Sequence, residues 1–482
     1  MTIRSFTKSG LLTNSFWGLV STILQNLFLS LFFVLLSRHY TTNDFANYLV
    51  ASSIYQLIVG ISSLGLGNWF VREYNQTSGD KEIIISRFIK IQAILGLFFY
   101  ACYILFIFGL YASYEIRILA FLLGTNIIFD NIVFALRSLN VAQQQQRKTA
   151  IILALDALAR LLTVCALYIF PFSIFILSGL LVIIRLVTLN VFVQVGVHKN
   201  FSLRKIWRYK LYLADLKLQV LANWRFVVIV GVAILFWRSG TIIISKFLPQ
   251  EMLANYEIAY KVLSLFIIVP SILSTTIYPR FVGSYAANDI TAVRKLYRTS
   301  FLYFTLYAIL SYAFILSFGD NIIQFLFGPR YALAGDSIKQ MFLTFLVFPT
   351  VLLQANLIVS MNLERVDMRF NIIALALNIA GSLISLQFYQ SLSSINYSVF
   401  GAYLFFHILQ SVFLVRLKIV SIKNTIAFYA AIALFVLGYN AAIHFAGGTM
   451  AFSSLVLLVA IGFLLTIRYK IPRLKEYISI NT

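Results

Sequence analysis

Hydrophobic positions along this chain are gathered into long runs separated by short polar breaks. Fourteen such runs are centred in roughly 14–37, 43–67, 88–111, 114–136, 149–169, 172–194, 227–248, 253–275, 299–319, 337–361, 370–388, 393–415, 424–445 and 448–467, their ends set to within a few residues and the pair at 370–415 the least cleanly separated. Each approaches the roughly 20 apolar residues that a helix needs to cross a bilayer. The runs are continuous and lack the every-second-residue alternation of barrel strands, and an open strand edge finds no hydrogen-bond partner in lipid. The pattern predicts an all-α polytopic membrane protein with about fourteen transmembrane helices.

Composition strengthens that expectation. Of 482 residues, 61% are hydrophobic and 11% charged, against about 25% charged in soluble domains. No soluble core of this size would hide so much apolar surface. The first run, "NSFWGLVSTILQNLFLSLFFVLLS", is too long for a cleavable signal, and no small-residue cleavage site follows it. Cys102 and Cys165 fall inside runs and are expected as buried apolar thiols. The histidines at 39, 198, 407 and 444 show no ligand spacing, so no metal is expected, and no other cofactor.

A formal net charge of +22 raises the question of nucleic acid, and its distribution answers it. Of the 38 Lys and Arg residues, 29 fall in the N-terminus, the even-numbered loops and the tail. Five (Arg38, Arg117, Lys246, Arg330 and Lys339) fall in the odd-numbered loops, and four lie within runs. This is the positive-inside pattern; it places both termini in the cytoplasm and predicts no nucleic-acid partner. The sixth loop, "HKNFSLRKIWRYKLYLADLKLQVLANWRF", mixes basic and apolar residues. It is read either as lying on the anionic inner leaflet or as a plain basic linker.

The chain also repeats itself. "SRHYTTNDFANY" at 37–48 meets "SKFLPQEMLANY" at 245–256, an offset of 208 that continues through Ala51/Ala259, Leu57/Leu265, Ser63/Ser271 and Arg72/Arg280. At an offset of 222, "RKTAIILALDALARLL" (147–162) meets "RFNIIALALNIAGSLI" (369–384), pairing Arg147 with Arg369 and Asp156 with Asn378. A repeat of six helices, an even number, inserts both copies in the same orientation. Parallel repeats of this kind recur in transporters, each copy forming one wall of a substrate cavity that rocking opens to either side. The expected division is a six-helix bundle at 1–194, a basic interfacial linker at 195–226, a second six-helix bundle at 227–418, and two extra helices with a basic tail at 419–482.

At these residues a family resemblance appears. "LLSRHYTTNDFANYLVASSIYQLIVGISSLGLGNWFVRE", "LANYEIAYKVLSLFIIVPSILSTTIYPRF" and "FLFGPRYALAGDSIKQM" resemble segments of Wzx-type O-antigen polysaccharide-export flippases. That family belongs to the superfamily that also holds the MATE multidrug extruders and the lipid II flippases. The similarity runs over most of residues 10–420. It implies a MATE-like V-shaped pair of six-helix bundles plus two C-terminal helices. It also implies a substrate, an oligosaccharide on undecaprenyl pyrophosphate, moved from the cytoplasmic to the periplasmic leaflet of the bacterial inner membrane for O-antigen, lipopolysaccharide or capsule assembly. Membrane lipids, a glycan polymerase and chain-length proteins are the implied partners.

Seven charges lie at membrane depth: Asp130, Asp156, Arg160, Arg185, Arg238, Glu257 and Lys261. Each costs about 2.5–3.5 kcal/mol at the bilayer centre on insertion scales, so each is expected to face a cavity or a partner. Asp156/Arg160 and Glu257/Lys261 are spaced i, i+4 and can neutralise each other on one helix face. Arg185 and Arg238 have no such partner on their own helix. Arg238 and Lys261 sit at similar depth, ~12–15 Å from the outer ends of neighbouring helices. With Arg185 and Arg160 they are the candidate substrate-binding cations for a pyrophosphate or acidic sugar; the competing reading pairs Arg238 with Asp130 or Asp156. Asp130, Asp156 and Glu257 are candidates for H+ or Na+ coupling. Arg72 and Arg280 are candidates for a cytoplasmic mouth, with snorkelling to lipid phosphates as the alternative.

The competing functions are a MATE-like cation or drug antiporter, against which the intramembrane cations argue, and a membrane glycan polymerase or glycosyltransferase. The outer loops are short and poor in carboxylates, and the long inner loop offers only Asp215, so no catalytic residues and no enzyme activity are expected. No Walker-type glycine loop is present to harness ATP. The topology makes a direct prediction. A reporter active only in the periplasm is silent when fused after Thr482 and active when inserted at Gln390 or Ser391; the reverse at either site refutes the orientation or the helix count.

Overall fold

The computed structural model describes residues 8–76, 81–196 and 213–479. Among them are sixteen α-helices and no strand. In order they are α1 (Lys8–His39), α2 (Thr42–Ser62), α3 (Leu66–Gln76), α4 (Lys81–Leu110), α5 (Tyr114–Ala142), α6 (Gln146–Ala166), α7 (Ile174–Val191) and α8 (Leu213–Phe247). Then follow α9 (Gln250–Ala286), α10 (Ile290–Phe327), α11 (Leu333–Phe345), α12 (Phe348–Ser360), α13 (Glu364–Phe388), α14 (Leu392–Arg416), α15 (Ile422–Ala446) and α16 (Gly448–Ser479). Twelve segments among the described residues are long and apolar enough to cross a membrane. The runs at 227–248 and 448–467 fall on α8 and α16, outside that set. The chain is an all-α multi-pass membrane protein. Of the basic linker expected at 195–226, residues 197–212 lie outside the described residues, as does the side chain of Arg72.

Helix starts follow the expected chemistry. Thr41, Ser113, Ser173 and Ser421 each cap a helix, the hydroxyl accepting from the backbone N–H three residues on.

Two places show how backbone irregularity is tolerated in an apolar surround. The run at 43–67 does not make one helix. Its "SSLGLG" sequence breaks between α2 and α3, with Leu64 and Gly65 in left-handed conformation at φ 50° and 62°. Glycine takes this region freely. The opened turn is satisfied from neighbouring helices: Gln92 Nε2 of α4 donates to the Ser63 carbonyl (3.2 Å), and Asn131 Nδ2 of α5 donates to Ser62 Oγ (2.7 Å). At the 208 offset, Ser62 meets Pro270, which lies inside the unbroken helix α9. Proline has no N–H for the carbonyl four residues back. That carbonyl, of Phe266, accepts instead from the Tyr307 hydroxyl of α10 at 3.0 Å. The same position is served by a helix break in one segment and by a proline with a borrowed donor in the other.

Two compact units divide the chain, one of Met1–Lys261, Leu326–Arg330 and Met368–Ser398, the other of Val262–Phe325, Tyr331–Asp367 and Val399–Thr482. In the first, α5 is the central post, packed by α2, α3, α4, α6 and α7, while α1 lies on α6 and α2 reaches α8. In the second, a buried cluster of Phe281, Tyr297, Phe304, Leu353, Leu357 and Leu414 joins α9, α10, α12 and α14.

Gly96 sits where α4 crosses close to the backbone of α5. A Cβ at Gly96 would stand 3.0 Å from the Ile128 Cα and 3.3 Å from the Asn131 Cβ, whereas one at Gly109, on the same helix, meets nothing within 4 Å. Overpacking a close crossing costs about 1–3 kcal/mol. Gly96→Leu therefore lowers membrane abundance and Gly109→Leu does not; quantitative blotting of membrane fractions checks the contrast, and equal abundance of the two refutes it.

Candidate functional site

The charges flagged at membrane depth assemble into two groups, both within the first unit. Arg185 of α7 anchors one. Its Nε lies 2.8 Å from Asp130 Oδ1 of α5, and its Nη1 lies 3.5 Å from Asp156 Oδ1 of α6. Arg160, one turn along α6, donates from Nε to Asp156 Oδ2 at 2.9 Å. Thr188 donates to Asp156 Oδ1 at 2.7 Å, and the Tyr55 hydroxyl of α2 donates to Asp130. All four charged side chains keep 14% or less of their surface exposed, so mutual neutralisation is what holds them there. Arg160 Nη2 is buried without a hydrogen-bond partner.

Arg238 of α8 anchors the other. Its Nη1 donates to Glu257 Oε2 of α9 and to Ser53 Oγ of α2, both at 3.3 Å, and its Nη2 donates to the Gln56 side chain. Ser53 Oγ and the Thr241 hydroxyl also donate to Glu257 Oε1. The guanidinium carbon lies 5.0 Å from the Tyr260 ring centroid, a cation–π distance. Among the described residues, the Nε–H of Arg238 has no hydrogen-bond partner.

The expected pairings are met unevenly. The Asp156/Arg160 pair forms as spaced, and Arg185 joins it to Asp130. Glu257 pairs across to Arg238 of α8. The carboxylate on Arg238 is therefore neither Asp130 nor Asp156, and the arginine has a protein partner without any ligand. Lys261 sets its Nζ 5.9 Å from the Phe33 ring centroid of α1. Arg280 is exposed on α9. Asn378 of α13, the counterpart of Asp156 in the second echo, donates to the Phe236 carbonyl and Ser239 Oγ of α8, each at 3.2 Å.

Charge counting misses the neutral partners. Ser53, Tyr55 and Gln56 of α2, with Thr188 and Thr241, complete both groups. Their signal in sequence is modest: Ser53 and Gln56 are polar residues at i, i+3 within an apolar helix, a spacing that places them on one face. That face meets α8, while Tyr55 is turned toward α5.

The transmembrane helical bundle holds opposed charges in its interior, and the comparisons give it a fold. The chain is similar to the lipid II flippase MurJ in an inward closed conformation, with a TM-score of 0.70 at 13% identity over 93% of this chain and 99% of that one. It is similar to an inward-facing multidrug resistance MATE transporter of the MOP superfamily, with a TM-score of 0.68 at 11% identity over 83% and 96%. It is also similar to a MOP superfamily transporter from Pyrococcus furiosus, with a TM-score of 0.58 at 13% identity over 85% and 95%. The fold is therefore that of the MATE and MurJ transporters. The family model "Polysaccharide biosynthesis protein" matches residues 11–284, more than half of the chain, and the protein belongs to that family. No curated protein matches the sequence.

The Arg238 group makes a quantitative prediction. Arg238→Ala leaves Glu257 buried without its cation, which costs about 3–5 kcal/mol, and membrane abundance falls. Arg238→Ala combined with Glu257→Gln removes the stranded charge and restores abundance. An abundance of the double variant no higher than that of Arg238→Ala refutes the pairing.

Proposed function

We propose that this protein is a flippase. It carries an undecaprenyl-pyrophosphate-linked oligosaccharide unit from the cytoplasmic to the periplasmic leaflet by alternating access, for assembly of O-antigen- or capsule-type polysaccharide. The observation that carries this reading is membership of the polysaccharide biosynthesis protein family over residues 11–284. The fold shared with a lipid II flippase supports it. In this reading the protein sits in the bacterial inner membrane with both termini cytoplasmic. Its two six-helix halves, 1–194 and 227–418, act as parallel repeats, and a glycan polymerase with its chain-length partners uses the delivered unit.

Arg238 is the proposed contact for the pyrophosphate in the central cavity, with Lys261 beside it. A guanidinium fork matches phosphate oxygens bidentately, and the arginine has an N–H to offer while still held by Glu257, Ser53 and Gln56. An arriving anion competes with Glu257, so substrate binding loosens the contact between α8 and α9. Arg160 and Arg185 form the second cationic position, and Arg280 with Arg72 the cytoplasmic mouth. Asp130 and Asp156 share Arg185. A proton or Na+ taken up by either carboxylate weakens its hold on the guanidinium, which supplies a route from ion entry to rearrangement.

A MATE-like cation antiporter shares the fold. Four cationic side chains at membrane depth weigh against a cationic substrate and disfavour it. A glycan polymerase or glycosyltransferase would need a catalytic constellation, and the solved structures with this fold are described as a MATE transporter and a lipid II flippase.

Two measurements test the proposal together. Cells lacking the protein lose surface glycan and accumulate lipid-linked oligosaccharide on the cytoplasmic side, with unchanged susceptibility to cationic drugs. Unchanged glycan with raised drug susceptibility overturns the flippase in favour of the antiporter. In complemented cells, Arg238→Lys retains part of the export because the charge persists without the fork. The abundance-restored Arg238→Ala/Glu257→Gln variant does not export; normal surface glycan from that variant removes Arg238 from the substrate path.

A further inference from the structure

The second unit holds a cavity of about 260 Å³ that the charge groups above do not touch. It lies where α10, α12, α14 and α15 meet, at the end of the bundle where α10 and α15 begin. Arg294 and Arg298 line one side. They are one turn apart on α10 and exposed, and no carboxylate pairs with either among the described residues. Like charges at i, i+4 destabilise a helix. Also lining it are Ser421, the N-cap of α15, and Asn424 and Thr425 in that helix's first turn. A helix N-terminus carries a partial positive charge and offers N–H donors. Three positive elements thus surround one space, and no Asp or Glu lines it.

The lining also holds aromatic and neutral polar side chains. Phe301 and Phe428 form its wall, edge to face at 5.0 Å. Gln354 donates to Tyr297 and Ser411, both at 3.0 Å, and its Oε1 is buried with no partner. Gln354 is 1% exposed, and it lines the cavity. An acceptor left in that position is suited to a hydroxyl-bearing ligand. The helix that supplies the N-terminus also presents much of its apolar surface outward, with Ile422 and Ile426 both 62% exposed.

We propose that this cavity binds the headgroup of an anionic phospholipid. The phosphodiester sits between Arg294, Arg298 and the start of α15, the headgroup hydroxyls reach toward Gln354, and the acyl chains run along the apolar face of α15. A phosphate relieves the repulsion within the arginine pair and satisfies the helix dipole at once. The positive-inside rule accounts for basic residues at this membrane face; it does not account for two of them meeting a helix N-terminus around an acid-free cavity with an orphaned acceptor in its wall. The site is independent of the transported substrate.

Titration of the full chain in a neutral detergent with short-chain dioctanoyl phosphatidylglycerol tests it. Wild type binds saturably, and Arg294→Gln/Arg298→Gln weakens binding by about tenfold or more, as expected for the loss of two charge-assisted contacts. Lys295→Gln/Lys423→Gln removes two cations of the same face that do not line the cavity and weakens binding by less than about threefold, the scale of screened surface charge. Asn424→Asp places a carboxylate where the phosphate sits and weakens binding as the arginine variant does. Equal affinity for dioctanoyl phosphatidylcholine, or equal weakening by the lysine variant, overturns the site. Inorganic phosphate that binds as tightly as the lipid, with the same arginine dependence, overturns the lipid as ligand in favour of the free ion.

Discussion

The bridging of two carboxylates by Arg185 is the contact on which the first unit's interior turns. A single guanidinium at 2.8 Å from Asp130 and 3.5 Å from Asp156 fixes α5, α6 and α7 around one point in a medium that offers ions no other partner. Arg160 and Thr188 then saturate Asp156, and Tyr55 draws α2 onto Asp130. Apolar packing around these helices is non-directional and would tolerate sliding. The ion contacts are directional and would not, so they set the register of four helices where hydrophobicity alone leaves it open.

The Arg238 group follows the same logic with a different balance. Its single carboxylate, Glu257, is shared with Ser53 and Thr241. Here Arg238 meets one acid, with Ser53 and Gln56 as neutral partners. In the Arg185 group one guanidinium is held by two acids. The two groups therefore differ in how many carboxylates hold the arginine, although both look alike as charges in apolar sequence.

That distinction marks the limit of what sequence conveys. Helix class and multi-pass character follow from run length and composition, because lipid admits few alternatives. The buried charges are equally visible, since each stands out against its run. Their partners are not: Glu257 lies i−4 from Lys261 on one helix and yet pairs across to Arg238, because rotation of α9 about its axis decides which neighbour the carboxylate meets, and no single-helix spacing encodes that rotation. The neutral contributors are hidden for a related reason. Ser53 and Gln56 resemble ordinary helix polar residues until α8 supplies a guanidinium. The break after Ser62 was legible in retrospect from "SSLGLG", but a continuous apolar run outweighs two glycines in any periodicity argument.

Helix α2 is gripped on two sides. Ser53 and Gln56 engage the α8–α9 group, and Tyr55 engages Asp130; with 3.6 residues per turn, Tyr55 points about 130° away from the mean direction of the other two. A shaft held at two such angles resists torsion more than it resists tilting. Turning α2 about its own axis strains contacts at both groups together, while swinging it with its neighbours leaves both intact. The break at Leu64–Gly65 lies just beyond these grips, and Gln92 and Asn131 pin it to α4 and α5. The helix thus works as a torsional lock, anchored again at its end.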